Sequence, residues 1–84
     1  AYEKVIELDH SRKVDAWIGK GNALWQLGRT DEAVAAYDKA IELDPTNIVA
    51  WFSKGSILDS MGRSKEAEAA YAKANELKEL ESKD

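Results

Sequence analysis

The stretch Trp17-Ile18-Gly19-Lys20-Gly21-Asn22-Ala23-Leu24 is answered thirty-four residues later by Trp51-Phe52-Ser53-Lys54-Gly55-Ser56-Ile57-Leu58, and this pairing decides the fold. Trp, Lys, Gly and Leu return at the same places. Residues 14–44 laid on 48–78 give 16 identities in 31 pairs, among them Gly28/Gly62, Ala33/Ala67, Tyr37/Tyr71, Ala40/Ala74 and Leu43/Leu77. A partial third copy opens the chain. There Tyr2-Glu3-Lys4-Val5-Ile6-Glu7-Leu8-Asp9 mirrors Tyr37-Asp38-Lys39-Ala40-Ile41-Glu42-Leu43-Asp44 at an offset of 35, so the turn through His10 carries one extra residue.

Each unit reads as two helices, because apolar and small residues recur at helical spacing: Trp17, Gly21 and Leu24, then Ala33, Tyr37 and Ala40. Gly28 and Gly62 can take the left-handed conformation that ends a helix, and Thr30 and Ser64 are placed to cap the next one. Pro45 stops the second helix and imposes an extended step. The pattern predicts a helix over 1–9, a first full repeat over 13–44, a second over 47–80 and a polar tail at 81–84. Gly21 and Gly55 lack a side chain where the second helix must come close. Ala33 and Ala67 offer it the smallest partners, and Trp17 and Trp51 fill the space beside them.

Composition narrows the chemistry. Eighty-four residues make one domain with a modest core and little room for a catalytic cleft. Twelve Lys and Arg against sixteen Asp and Glu leave a net charge of −4 with the cations dispersed, which argues against nucleic acid and anionic membrane as partners. Without cysteine there is no disulfide, thiolate nucleophile or Cys-ligated zinc. No apolar run approaches the ~18 residues of a membrane span, so a soluble chain, cytoplasmic in setting, is expected. His10 is the single histidine and has no partner spacing for a metal or a catalytic triad. Glu32/Glu66 and Glu42/Glu76 repeat with the period and read as solvated faces ion-paired to Lys39 or Lys73. Lys20 and Lys54 read as long stems snorkelling from a helix side. No enzyme, cofactor or metal is expected.

A 34-residue helical hairpin carrying Trp-x-x-Lys-Gly-x-x-Leu, then Ala-x-x-x-Tyr, then Pro, resembles the tetratricopeptide repeat. Lys20 and Lys54 replace the usual Leu, and Leu24 and Leu58 stand where Tyr is common. The resemblance implies an all-α fold of antiparallel hairpins stacked as a short right-handed solenoid, here five helices: the last of a preceding repeat and two full repeats. The chain opens at Ala1 without an initiator Met, which predicts a longer parent with its cut end here. Ile6 is then expected against the hairpin that begins near Lys13, with Val5 and Tyr2 toward a missing helix. Val34 and Ile41 become Glu68 and Asn75 in the last helix, and Pro45 becomes Glu79, so the last helix is expected to be a polar cap.

The resemblance also implies a concave groove, lined by the first helices of successive repeats, that receives a polypeptide. At helical spacing the corresponding residues are Asp15, Ile18, Gly19, Asn22, Trp25 and Gln26, then Val49, Phe52, Ser53, Ser56, Asp59 and Ser60. Ile18, Trp25, Val49 and Phe52 would be the apolar anchors, and Asn22 would bond a partner's backbone. Two alternatives stay open: Ile18 and Phe52 pack between repeats, with Trp25 covering the open part of the groove, or the chain self-associates into a homo-oligomer through its ends or its groove. The partner expected is an apolar or mixed polypeptide segment. Ile18 stands where a carboxylate-clamping Lys would be needed.

Overall fold

Gly28 and Gly62 adopt positive φ, at 81° and 79°, and each turns the chain from one helix into the next. At the first, the Gly28 amide donates to the Trp25 carbonyl and the Arg29 amide to that of Leu24, both at 2.9 Å. The second repeats this, Gly62 to Asp59 at 3.0 Å and Arg63 to Leu58 at 2.9 Å. This paired closure of a helix end needs a left-handed residue, which costs glycine nothing. Thr30 and Ser64 are the first residues of the helices that follow rather than their caps. The cap position ahead of Thr30 belongs to Arg29, which makes no side-chain capping bond.

The computed structural model describes the backbone of residues 2–82 and the side chains of residues 12–81. Among the described residues there are four helices: α1 Tyr2–Gln26, α2 Thr30–Leu43, α3 Ile48–Ser60 and α4 Ser64–Ser82. α1 packs on α2, α3 on α4, and the two hairpins join mainly through α2 and α3. Val14, Ile18, Ala33, Tyr37, Ala40, Ala50 and Ile57 form the buried core, with Trp17, Leu24, Trp25, Val34, Ile41 and Leu43 partly buried around it. Trp17 and Trp51 flank this core half-buried.

The close approach inside each hairpin is made by a tyrosine ring, and not by helix backbone against alanine as the sequence suggested. A Cβ on Gly21 would lie 2.6 Å from Tyr37 Cε1, and one on Gly55 would lie 2.8 Å from Tyr71 Cδ1 and Cε1. Each ring occupies the room that the missing side chain leaves. The Tyr37 hydroxyl then donates to Asn22 Oδ1, and the Tyr71 hydroxyl to Ser56 Oγ at 3.3 Å.

The five-helix expectation is corrected to four, and the difference lies at the first junction. Between α2 and α3 the break is built from several parts. Asp44 Oδ1 accepts from the Thr46 amide at 3.1 Å and from its hydroxyl at 2.7 Å. Asn47 Oδ1 caps α3 by accepting from the Ala50 amide at 3.0 Å, and Trp51 Nε1 donates to the Pro45 carbonyl at 2.8 Å. At the earlier junction His10 replaces Pro45 and Lys13 replaces Asn47. Neither residue bars a helix, and lysine cannot accept a capping bond, so α1 runs unbroken through the expected turn. The packing expected of Ile6, Val5 and Tyr2 concerns side chains outside the described residues, as does the end of the tail.

The ion pairs follow the period. Glu42 and Glu76 pair with Lys39 and Lys73 at 3.7 and 3.9 Å, whereas Glu32 and Glu66 pair with Arg29 and Arg63 at 3.1 and 2.9 Å. All four lie within exposed helix turns and contribute little each. Val34 and Ile41 are half-buried, while Glu68 and Asn75 are exposed.

Two outcomes test this packing. Gly21→Ala should destabilise by about 1–2 kcal/mol, because an overpacking cost of ~1–3 kcal/mol exceeds the gain of up to ~1 kcal/mol in helix propensity. Gly19→Ala, in the same helix with nothing within 4 Å of the added carbon, should instead stabilise by about 0.5–1 kcal/mol in urea unfolding. Burial raises the Tyr37 pKa above its ordinary value of 10.0. Folding therefore favours the neutral phenol: its contribution is fully present below pH 10 and is lost as pH rises through the folded value. Urea titrations from pH 8 upward should show wild type losing more stability in that window than Tyr37→Phe.

Candidate functional site

The stripe predicted to line a groove divides in the structure. On α1, positions 15, 18, 22, 25 and 26 share a face by helical spacing, as do 49, 52, 53 and 56 on α3. Ile18 is only 7% exposed and belongs to the core, so of the two readings left open for it the packing one describes its place. Its neighbour one turn back, Val14, is buried as well, and the pair forms the inward stripe of α1. Trp25 is half-buried and packed on the same core, which leaves it only partly available as an anchor. Asp15, Asn22 and Gln26 are exposed.

α3 carries the apolar surface. Val49 is 58% exposed and Phe52 56%, although Ala50, Gly55, Ile57 and Leu58 on the same helix are buried. Leaving large apolar side chains in water forgoes roughly 1.5–3 kcal/mol for each that folding could have buried. Phe52 is held in place by Tyr71, ring centroids 5.4 Å apart at 57°. Ser53 and Ser56 lie half-buried beside it.

Hydrogen bonding fixes what the polar members can offer. Asn22 Oδ1 accepts from the Tyr37 hydroxyl, so the amide NH2 is the group left to meet a partner. Ser56 Oγ accepts from the Tyr71 hydroxyl at 3.3 Å, which leaves its own O–H to donate. The two positions, 34 apart, therefore present donors. Their complement is a row of acceptors such as backbone carbonyls.

A further exposed apolar side chain, Leu80, stands near the end of α4, where the sequence suggests a polar cap. It is 56% exposed, while Leu77, one turn earlier, is buried. A shallow cavity of about 320 Å³ is lined by Thr46, Leu77, Leu80 and Glu81, and one of about 360 Å³ by Asp44, Thr46, Asn47, Ile48, Val49 and Glu81. Shared Thr46 and Glu81 make these neighbours, so Val49 and Leu80 flank one depression. The i, i+3 spacing of two leucines was the available signal.

A second repeated feature lies where Lys20 and Lys54 were expected to snorkel. Lys20 Nζ stands 5.0 Å over the Trp17 ring and Lys54 Nζ 5.8 Å over that of Trp51. Each pair walls an open cavity with a leucine, a glutamate and a second lysine, about 360 Å³ around Trp17 and 410 Å³ around Trp51. Lys54 also reaches Asp38 Oδ1 on α2 at 2.6 Å. Among the described residues no group of three or more His, Cys, Asp or Glu is gathered to hold a metal. Among the described residues no helix is long and apolar enough to cross a membrane.

Comparison with known proteins agrees with this architecture. Two models of the tetratricopeptide repeat match, one over residues 14–47 and the other over 36–69. Peroxisomal targeting signal receptors from Komagataella phaffii (strain GS115 / ATCC 20864) and Komagataella pastoris are each 38% identical over 48 residues, 57% of this chain but 8% of theirs. The crystal structure of MamA superposes with a TM-score of 0.81 at 32% identity, covering 84% of this chain and 42% of that one. The chain thus spans less than half the length of each of these relatives. With the period, the glycine turns and the hairpin packing in agreement with two matching repeat models, the chain belongs to the tetratricopeptide repeat family.

Proposed function

We propose that the chain is a protein–protein interaction module that receives a polypeptide segment on a concave groove across α1 and α3, the two first helices of a short right-handed solenoid. The observation that carries this reading is the exposure of Val49 and Phe52, 58% and 56%, on a helix that buries Ala50, Ile57 and Leu58. Exposed aromatic and aliphatic side chains on one face, fixed by a neighbouring ring, are what an interface uses as anchors. The relatives named as peroxisomal targeting signal receptors support the reading by name, as receptors.

The chemistry of the face narrows the partner. An apolar side chain of the partner settles by Val49 and Phe52, with Leu80 extending the surface toward the end of α4. The Asn22 amide and the Ser56 hydroxyl donate to backbone carbonyls, a pairing that suits an extended segment whose carbonyls are unpaired. Asp15 and Asp59, both exposed on this side, disfavour an acidic segment. The groove is therefore the place for an apolar or mixed peptide, and Ile18 contributes by holding α1 in position.

Selection of a random peptide library on the 84-residue chain tests this. Enriched peptides should carry a large apolar residue, and Phe52→Ala or Val49→Asp should weaken them by at least about tenfold, equivalent to ~1.4 kcal/mol. Thermal unfolding of both variants should stay within a few degrees of wild type, since both side chains are more than half exposed. Peptides that bind the variants and the wild type equally well would contradict the groove.

A further inference from the structure

The two hairpins bury the same positions unequally. In the first, Val14, Ile18 and Tyr37 are buried; 34 residues on, Ile48 and Tyr71 are half-buried and Phe52 is 56% exposed. The difference is α3. Its Ala50 and Ile57 complete the core that Val14, Ile18 and Tyr37 build, and its Lys54 pairs with Asp38 of α2 at 2.6 Å. Among the described residues no helix lies on the second hairpin in that way.

α1 carries the other half of the same junction. Ala50, Lys54, Ile57 and Met61 follow one another at steps of four, three and four, which places them on one stripe. All are buried or half-buried. Their counterparts Ala16, Lys20, Ala23 and Leu27 make the same stripe on α1, yet all four are exposed, Leu27 by 71%. Two charges on these bare faces are unmatched. Among the described residues neither Lys20 nor Glu68, which takes the place of Val34 on the open end, makes an ion pair.

We propose that the stripe Ala16, Lys20, Ala23 and Leu27 of one copy docks on the open α3/α4 end of a second copy, head to tail, in the register of the α2–α3 junction. There position 38 faces 54 across antiparallel helices, so position 72 of one copy faces Lys20 of the next. Glu68, one turn from 72 on the same stripe of α4, is then within reach of the Lys20 side chain and lies beside Ala23. Ala23 is smaller than Ile57 and leaves room for Phe52, which is larger than Ile18. Burial of Phe52 and Leu27 supplies the apolar part of the contact. Glu68 and Asn75, in place of Val34 and Ile41, make it weaker than the junction within the chain, so it forms at raised concentration. Each docked copy still has one free face, and the assembly therefore grows in a row instead of closing as a two-fold dimer. Phe52 is common to this end and to the proposed peptide site, but the docking argument does not rest on that reading: Ala16, Lys20, Ala23 and Leu27 lie outside the groove stripe.

Sedimentation velocity on the 84-residue chain tests the proposal. The mass of wild type should rise with concentration past twice the 9.3 kDa of the monomer. Ala23→Asp, which sets a carboxylate against Glu68, and Phe52→Asp, which spoils the open end, should each remain monomeric with unchanged helical circular dichroism. Mixed in equal amounts they should form a one-to-one dimer and stop there, because the first retains an intact end and the second an intact stripe. Lys20→Glu should weaken assembly by at least about tenfold, and Lys20→Glu with Glu68→Lys in one chain should restore it. Ala23→Asp should still capture the peptides selected on wild type, which separates loss of assembly from failure of the peptide site. A wild type that stays monomeric up to about 1 mM, an Ala23→Asp variant that assembles like wild type, a mixture that stays monomeric or grows beyond two, or a charge swap without rescue would each overturn the proposal.

Discussion

Each hairpin depends on a tyrosine ring occupying the room that a glycine leaves open. Tyr37 lies over Gly21 and Tyr71 over Gly55, with hypothetical Cβ contacts of 2.6 and 2.8 Å. Such a contact fixes the rotation of both helices at once, since the ring must point at one residue of one turn. The small residues around it follow from the same demand: Ala33 and Ala40 are fully buried in the first hairpin, and Ala67 and Ala74 nearly so in the second. The contact also reaches the first helix of each hairpin: the tyrosine hydroxyl ends at Asn22 or Ser56 and so decides which of their polar groups are left to bond elsewhere.

Most of the fold was legible because the period exposes it. Two copies of Trp-x-x-Lys-Gly-x-x-Leu identify the hairpins, and Gly28 and Gly62 mark their turns without any knowledge of packing. Where the reading fell short, the deciding quantity was three-dimensional. Spacing alone cannot tell that a tyrosine, and not an alanine, fills the glycine gap. It placed Ile18 and Phe52 on one stripe, yet Ile18 is 7% exposed and Phe52 56%, because only the former has the core beneath it. Leu80 was hidden by the charges around it. Asn22 was recognisable as a polar group of the proposed groove, but which of its ends is free depends on a hydrogen bond from fifteen residues away.

The two junctions between repeats show how little sequence separates a turn from a helix. Asp44, Thr46, Asn47 and the Pro45 carbonyl make four side-chain hydrogen bonds at one junction, counting that from Trp51. The other retains Asp9 but has His10 and Lys13 in place of proline and cap, and the helix carries through it. The same eight-residue motif is therefore packed against α3 after one junction and extended in line with α1 before the other.

The most direct measurement of the central contact is proton NMR of the glycines. An aromatic face stacked over Gly21 and over Gly55 should shift their α-protons well upfield of ordinary helical glycine and give cross-relaxation to the Tyr37 and Tyr71 ring protons, while Gly19 shows neither. Unshifted α-protons at Gly21 and Gly55, with no cross-peaks to either ring, would contradict the account.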